Sequence, residues 1–222
     1  SVAMSRKRLA VAVAGVLVAV LVAVGVLWAF PVLTVRTYEV TGAGYTSQED
    51  IVAATGVPEG ANLVRVDASS AAAGVVSLPW VRTATVDRGW PDTLEVTVTE
   101  RQAVLYSVED DGDHLIDESG TPFLIDVPPE TAVEVTGDQR QEPAVLTSVA
   151  AVVASLPEEL RAQVVRVDIP SAYDITFHLH DGRTVYWGAN ENNHDKALAM
   201  QTVLTREGQH WNISNPAMVT VR

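Results

Sequence analysis

The chain has 222 residues, enough for two small domains or for one domain with an appendage. It lacks cysteine, which excludes disulfides, thiol catalysis, cysteine-ligated zinc and iron–sulfur clusters. A net charge of −13 argues against nucleic acid or an anionic surface as the partner, because both need a basic patch.

An uncharged apolar run opens the chain, from Leu9 to Phe30. As a helix it would be about 33 Å long, enough to cross a hydrocarbon core of about 30 Å. Trp28 and Phe30 at its far end suit the membrane interface. A cleaved signal peptide is the alternative, but the run exceeds the roughly 7–15 residues of a signal core and LWAFPV offers no small-x-small cleavage site. The run therefore predicts a transmembrane helix over residues 9–30.

Basic residues set the orientation of this helix. Arg6, Lys7 and Arg8 come immediately before it, whereas all 28 acidic residues follow it. Under the positive-inside rule, residues 1–8 form a cytoplasmic tail and everything after Phe30 is exported. The pattern predicts a type II, single-pass topology.

The next 70 residues alternate between strand and helix signals. Leu33–Val40 reads as a strand, Thr46 and Glu49 fit a capping box that opens a short helix, and an Ala-rich helix follows over about 67–77. Two strands then flank the turn Gly89–Asp92, and the second of them alternates apolar and polar residues from Leu94 to Thr99. The predicted order is β-α-α-β-β.

The remaining residues predict a strand-rich region with two helices. Strands are expected at 103–108, 115–117, 164–169, 174–180, 183–188 and at the C-terminus, with helices over about 145–156 and 193–207. Asp181-Gly182 has hairpin-turn chemistry, and Asn193 is a plausible helix N-cap. The fold class expected for the whole chain is α+β.

Few residues suggest chemistry. His178, His180 and His194 could supply three nitrogens to zinc, but nothing in the sequence brings His194 to the other two. The acidic stretch 107–113 lacks the spacing of a calcium loop and reads as a hairpin turn. A pair of carboxylates could always assemble a hydrolase site. We therefore expect no enzyme, no cofactor and no metal, and keep a membrane-anchored cell-wall hydrolase as the alternative.

The C-terminal segment Ile213–Arg222 has β character but contains Pro216, which has no N–H to donate. Proline in a sheet is confined to edge strands, strand starts and bulges. An edge strand can accept a strand from a partner, since its outer N–H and C=O groups are unpaired. Alternatively, Pro216 blunts the edge against aggregation. The residues leave both interpretations open.

The run LPWVRTATVDRGWPDTLEVTVTER, Leu78–Arg101, resembles the FtsQ (DivIB) family of bacterial division proteins, in which a Pro-Trp-Val opening, a Trp-Pro turn and a final Glu-Arg close a POTRA domain. The resemblance extends over nearly the whole chain and implies a POTRA domain at 31–101 and an FtsQ-type β domain at 102–222. Trp80 and Trp90 are then expected to pack between the POTRA sheet and its helices, and Glu100-Arg101 to lie at the junction of the domains.

The resemblance also implies partners. In that family the last β-domain strand receives a strand from FtsB, with FtsL in the same complex, and the POTRA domain or transmembrane helix contacts further division proteins such as the septal synthase FtsW–FtsI. A POTRA chaperone of a secretion system is a weaker alternative, since no β-barrel sequence follows. Trp211 would be an interface anchor or a core residue, and Tyr186 is expected on the neighbouring strand. The implied binding residues are Trp211, Ile213, Ser214, Ala217, Met218, Val219, Thr220, Val221, Arg222 and Tyr186.

Overall fold

The computed structural model describes residues 2–30 and 32–222, with side chains described from residue 8 onward apart from residue 31. Most of the predicted cytoplasmic tail, including Arg6 and Lys7, lies outside the described side chains. Helix α1 spans Val2–Ala29. Its segment Arg8–Ala29 has a mean hydropathy of 3.0, and its length and composition suit a membrane anchor.

The residues after α1 form a three-stranded sheet with two helices. The elements are β1 (Thr37–Thr41), α2 (Gln48–Ala54), a 3₁₀ turn (Leu63–Arg65), α3 (Ala68–Val76), β2 (Val81–Gly89) and β3 (Thr93–Glu100). The sheet order is β1-β3-β2, with β1 parallel and β2 antiparallel to β3. The predicted β-α-α-β-β order is confirmed.

Capping residues and a small apolar core explain these elements. Ser47 rather than Thr46 caps α2, because its hydroxyl accepts the Asp50 N–H at 3.1 Å. The predicted capping box is therefore wrong by one position. Asp67 caps α3 in the same way. The core beneath the helices includes Val35, Ile51, Leu63, Val75, Val81, Leu94 and Val96, all fully buried.

The rest of the chain builds a nine-stranded sheet. Its strands are β4 (Ala103–Glu109), β5 (Gly112–Asp117), β6 (Pro122–Ile125), β7 (Val133–Thr136), β8 (Val164–Asp168), β9 (Ile175–Leu179), β10 (Thr184–Gly188), β11 (His210–Asn212) and β12 (Thr220–Val221). Their order is β12-β11-β10-β9-β8-β7-β4-β5-β6. The sheet is mixed, since β4–β7, β7–β8 and β10–β11 are parallel pairs.

Helices α4 (Pro143–Ser155), α5 (Glu158–Arg161) and α6 (Asn193–Val203) complete this region. Buried residues of α4 and α6 join one cluster with alternate strand residues such as Phe177 and Trp187, so the helices cover one face of the sheet. Asn192, at φ 52°, stands at the N-cap of α6 instead of Asn193, and the helix ends at Val203 instead of residue 207. The α+β fold class is confirmed.

Contacts divide the chain into two compact units, Ser1–Glu100 and Arg101–Arg222.

Candidate partner-binding edge

The C-terminal segment differs from the single strand expected at Ile213–Arg222. Strand β11 comes first, residues 213–219 turn back, and β12 follows with two residues. Asparagines build the turn: Asn212 Oδ1 accepts the Ser214 N–H at 3.0 Å, and Asn215 Oδ1 accepts the Ala217 N–H at 3.1 Å. These local bonds offer the backbone an alternative to a ladder, which is why the long strand was a wrong prediction.

Strand β12 is the outermost strand on its side of the sheet and runs antiparallel to β11. The His210 N–H donates to the Arg222 carbonyl at 3.0 Å, and the Arg222 N–H donates back at 2.9 Å. Pro216 lies in the preceding turn and not in the strand. The proline therefore neither occupies this edge nor blunts it.

The register determines which backbone groups face outward. In an antiparallel pair, residues alternate between exchanging hydrogen bonds with the neighbour and directing their N–H and C=O away from it. His210↔Arg222 exchanges bonds, and Trp211↔Val221 is the next pair along. The N–H and C=O of Val221 therefore point away from β11, toward the open side of the sheet.

Exposure separates the predicted site residues of the C-terminal segment into three groups. Trp211 is 6% exposed and Ile213 is fully buried, and both belong to the core cluster. Trp211 is therefore a core residue and not an exposed interface anchor. Ser214 and Val219 are half-buried, and the exposed members are Ala217, Met218, Thr220, Val221 and Arg222.

Tyr186 lies one strand further inside than expected. It is on β10, opposite Asn212 of β11, so β11 separates it from β12. Its hydroxyl donates to Asp174 Oδ1 at 2.8 Å. This hydrogen bond, followed by burial, raises the pKa of Tyr186. The residue is tied into its own sheet rather than free at the edge.

A row of basic and polar side chains crosses the open face of the sheet toward β12. The register pairs Arg166 with His178, His178 with Thr184, Thr184 with His210, and the backbone bonds pair His210 with Arg222. Burial, and then the neighbouring Arg166, lowers the pKa of His178. Sequence reasoning missed this row because it depends on the register of five strands that are distant in sequence.

The other candidate chemistry stays dispersed in the described part of the chain. His178 is on β9, His180 follows β9 and His194 is on α6. Among the described residues no group of three or more His, Asp or Glu side chains comes together. The acidic stretch 107–113 belongs to the β4–β5 hairpin, where His114 Nε2 contacts Asp111 at 2.7 Å.

Glu100 and Arg101 each bond within their own unit. The Glu100 carboxylate accepts the N–H groups of Gly44, Tyr45 and Thr46 at 3.0, 2.9 and 2.8 Å. Arg101 pairs with the buried Asp117. The two residues lie on either side of the division between the units, as expected, and each makes its anchoring contact within its own unit.

The two hairpin tryptophans have different surroundings. Trp80 is half-buried and stacks on Tyr45 with ring centres 4.0 Å apart. Trp90 is 57% exposed in the turn between β2 and β3, so the prediction that it packs between sheet and helices is wrong. A tight hairpin turn leaves no helix above its tip, which accounts for the exposure.

Comparison with known proteins places both regions in one family. The model "POTRA domain, FtsQ-type" matches residues 33–101, and "Cell division protein FtsQ/DivIB, C-terminal" matches residues 106–218. The chain is 44% identical to cell division protein FtsQ of Corynebacterium glutamicum, over 99% of this chain and 100% of that protein.

Other relatives are longer. The chain is 37% identical to cell division protein FtsQ of Mycobacteroides abscessus over 91% of its own length, and it spans 66% of that protein. Among solved structures, the major extracytoplasmic domain of the trans isomer of DivIB from Geobacillus stearothermophilus is similar with TM-score 0.38 and 15% identity, over 49% of this chain and 98% of that one. That likeness is too distant to carry an inference.

Proposed function

Because the chain belongs to the FtsQ/DivIB family of cell division proteins, we propose that it is a non-enzymatic scaffold that binds the FtsB–FtsL pair through strand β12. Through that complex it helps recruit and regulate septal peptidoglycan synthesis. It does so at the division septum as a type II membrane protein, with a POTRA domain at 31–101 and a β domain at 102–222.

The outward backbone of Val221 is the observation that carries this proposal. A partner strand placed beside β12 would pair with this N–H and C=O and would continue the nine-stranded sheet. In strand addition the main chain supplies affinity and alternate side chains supply specificity. An edge without proline or an inward charge is open to such pairing.

Side chains around the edge supply specificity in this proposal. Met218 is 71% exposed and Val221 is 47% exposed, so both side chains are available to a partner strand. Trp211, the cross-strand partner of Val221, and Ile213 belong to the core cluster and hold β11 in place. Tyr186 contributes by holding β10 in place rather than by touching the partner.

The basic row predicts the charge of the partner. Arg222 directly follows β12, and Arg166 lies on β8, four strands from β12. Arg222 stands beside the edge, so it favours a partner with an acidic residue next to its added strand. Further contacts with FtsW–FtsI are proposed for the POTRA domain or α1.

The proposal is tested by a substitution that removes only the outward donor. Val221→Pro deletes the N–H that faces the open side and leaves the Thr220 and Arg222 bonds to β11 in place. We expect the full-length variant to lose co-purification with FtsB–FtsL. Val221→Thr keeps the N–H and is the matched control. Normal co-purification of a folded Val221→Pro protein would contradict the proposal.

Two more obvious substitutions are less informative. Val219 packs against the core cluster, so Val219→Glu would disturb the fold. Thr220 is paired with Asn212 of β11, so Thr220→Pro would detach β12 itself. Loss of binding in either variant would not distinguish a missing edge contact from a missing strand.

A further inference from the structure

Trp90 is a large apolar side chain that no element of its own unit covers. It stands in the turn Gly89–Asp92 between β2 and β3 with 57% of its surface exposed. A tryptophan ring has an apolar body and a polar N–H, a combination that is enriched where membrane meets water. The position of this turn relative to α1 therefore decides what the ring can contact.

The turn lies at the end of the three-stranded sheet from which β1 departs. Strand β1 begins with Thr37 opposite Thr93, the first residue of β3. The Arg36 N–H donates to the Asp92 carbonyl at 2.8 Å. Because only residues 30–36 separate α1 from β1, Trp90 is at the anchor side of the sheet, and Trp80, just before β2, is at the far side.

The same end is fastened to the last turn of α1. The amide nitrogen of Asn62 lies 3.3, 3.4 and 3.2 Å from the carbonyl oxygens of Leu27, Trp28 and Phe30. The Arg65 guanidinium is 5.8 Å from the Trp28 ring centre. Unpaired carbonyls at a helix end need such partners. The 3₁₀ turn therefore packs against the helix end.

Strand β2 connects this contact to Trp90. The Arg88 side chain donates to the carbonyl of Leu63 at 3.0 Å and also to that of Val66. It therefore binds the first residue of the 3₁₀ turn and the residue that follows the turn. Trp90 follows two residues later, about 7 Å further along the chain. One short path of contacts thus runs from the end of α1 through the 3₁₀ turn to Trp90.

We propose that this end of the first unit rests on the membrane and that Trp90 inserts into the lipid interface. The surface comprises Trp90 with Trp28, Phe30 and Val32, which are 56%, 61% and 59% exposed. Its occupant is the bilayer that surrounds α1, so the contact continues the helix–lipid interface onto the exported domain. The inference rests on the anchor role of α1 in the proposed function and is independent of β12.

Charge at this end shapes the expected lipid dependence. Arg36, Arg65 and Arg88 are exposed there, but Asp87 and Asp92 share the same end. The mixture gives no strong net charge, so the aromatic rings rather than anionic headgroups hold the contact. We therefore expect docking on zwitterionic phosphatidylcholine as well as on anionic membranes.

The absence of cysteine allows a single probe to be placed at will. In the full chain in phosphatidylcholine nanodiscs, Trp90→Cys labelled with a polarity-sensitive fluorophore should emit at shorter wavelength than in buffer. Lipids with a quencher near the top of the acyl chain should reduce its emission. Thr83→Cys is the matched control, since Thr83 is exposed on β2, about 23 Å along the chain from Trp90.

Equal, water-like emission at both positions would overturn the inference. A second measurement needs no label: Trp90→Phe should lower the fraction of intrinsic tryptophan emission that brominated lipids quench, whereas Trp80→Phe should not lower it. No difference between these two variants would also contradict the inference. Retained FtsB–FtsL binding alongside either negative result would show that only the membrane contact has failed.

Discussion

Glu100 illustrates how one side chain closes a unit. Its carboxylate accepts three successive backbone N–H groups of the loop between β1 and α2. Burial opposes ionisation, but the hydrogen bonds from Tyr45, Thr46 and Gly44 outweigh it and leave the pKa of Glu100 below its usual value of 4.5. Sequence reasoning found this residue as part of the closing Glu-Arg pair but could not find its partners, which lie 54–56 residues away.

Replacing Glu100 by glutamine tests whether these hydrogen bonds stabilise the fold. The amide group removes the charge and turns one acceptor into a donor that faces other donors, so we expect a loss of about 2 kcal/mol in the free energy of unfolding. Urea unfolding of the detergent-solubilised chain measures it. Glu39→Gln is the control, because Glu39 is exposed on β1 and changes the charge equally. Equal stability of the two variants would show that the hydrogen bonds of the Glu100 carboxylate do not stabilise the fold.

The lowered pKa also gives this effect a pH dependence. A carboxyl whose folded pKa is depressed contributes its full stability above the unfolded pKa and loses it as the pH falls through the folded pKa. The difference between wild type and Glu100→Gln should therefore be largest near neutral pH and shrink below about pH 4. A difference that stays constant down to pH 3 would show that the charge is irrelevant.

At the level of elements, the sequence predicted the long, strongly periodic segments well. The β-α-α-β-β order, the helix over Pro143–Ser155 and the hairpin at Asp181-Gly182 all follow from local patterns. Pairing order did not follow, because the sheet joins β7 to both β4 and β8 in parallel across long stretches of chain. Parallel register depends on packing between distant segments and leaves little trace in a single sequence.

In the C-terminal hairpin, too, the sequence alone did not predict how the strands pair. Its edge position was predicted from Pro216, yet the proline lies in the turn, and asparagine side chains determine where β12 begins. Trp211 could not be assigned to core or surface from sequence, since an aromatic residue in a short strand suits both. The outward direction of Val221 emerged only from the observed register.

Asn212 provides a test of the hairpin as a unit. Its Oδ1 accepts hydrogen bonds from the N–H and the hydroxyl of Ser214, at 3.0 and 2.7 Å. Asn212→Ala should release the turn at a cost of about 1 kcal/mol and weaken binding of FtsB–FtsL about fivefold, measured by titration. Asn212→Asp keeps the acceptor oxygen and should bind nearly normally. Equal affinity of the alanine variant would separate the turn from the binding edge.

For the whole molecule, anchor, POTRA domain and β domain carry different tasks in the proposed scheme. Helix α1 holds the chain in the membrane, and contacts at Asn62 and Arg65 fix the first unit to its end. The second unit presents the strand edge. The apolar run and the acidic composition of the rest predicted the division into an anchor and an exported part. The exposure of Trp90 and the row of basic and polar side chains could be seen only in the structure.

The central claim is that a partner strand pairs with the outer side of β12, and amide hydrogen exchange measures this directly. In the free protein, the Thr220 and Arg222 amides should be slowed by β11, whereas the outward Val221 amide should exchange readily. On adding FtsB–FtsL, we expect protection to appear at Val221 with little change at its two neighbours. Binding that leaves the Val221 amide exchanging as fast as before would contradict the account.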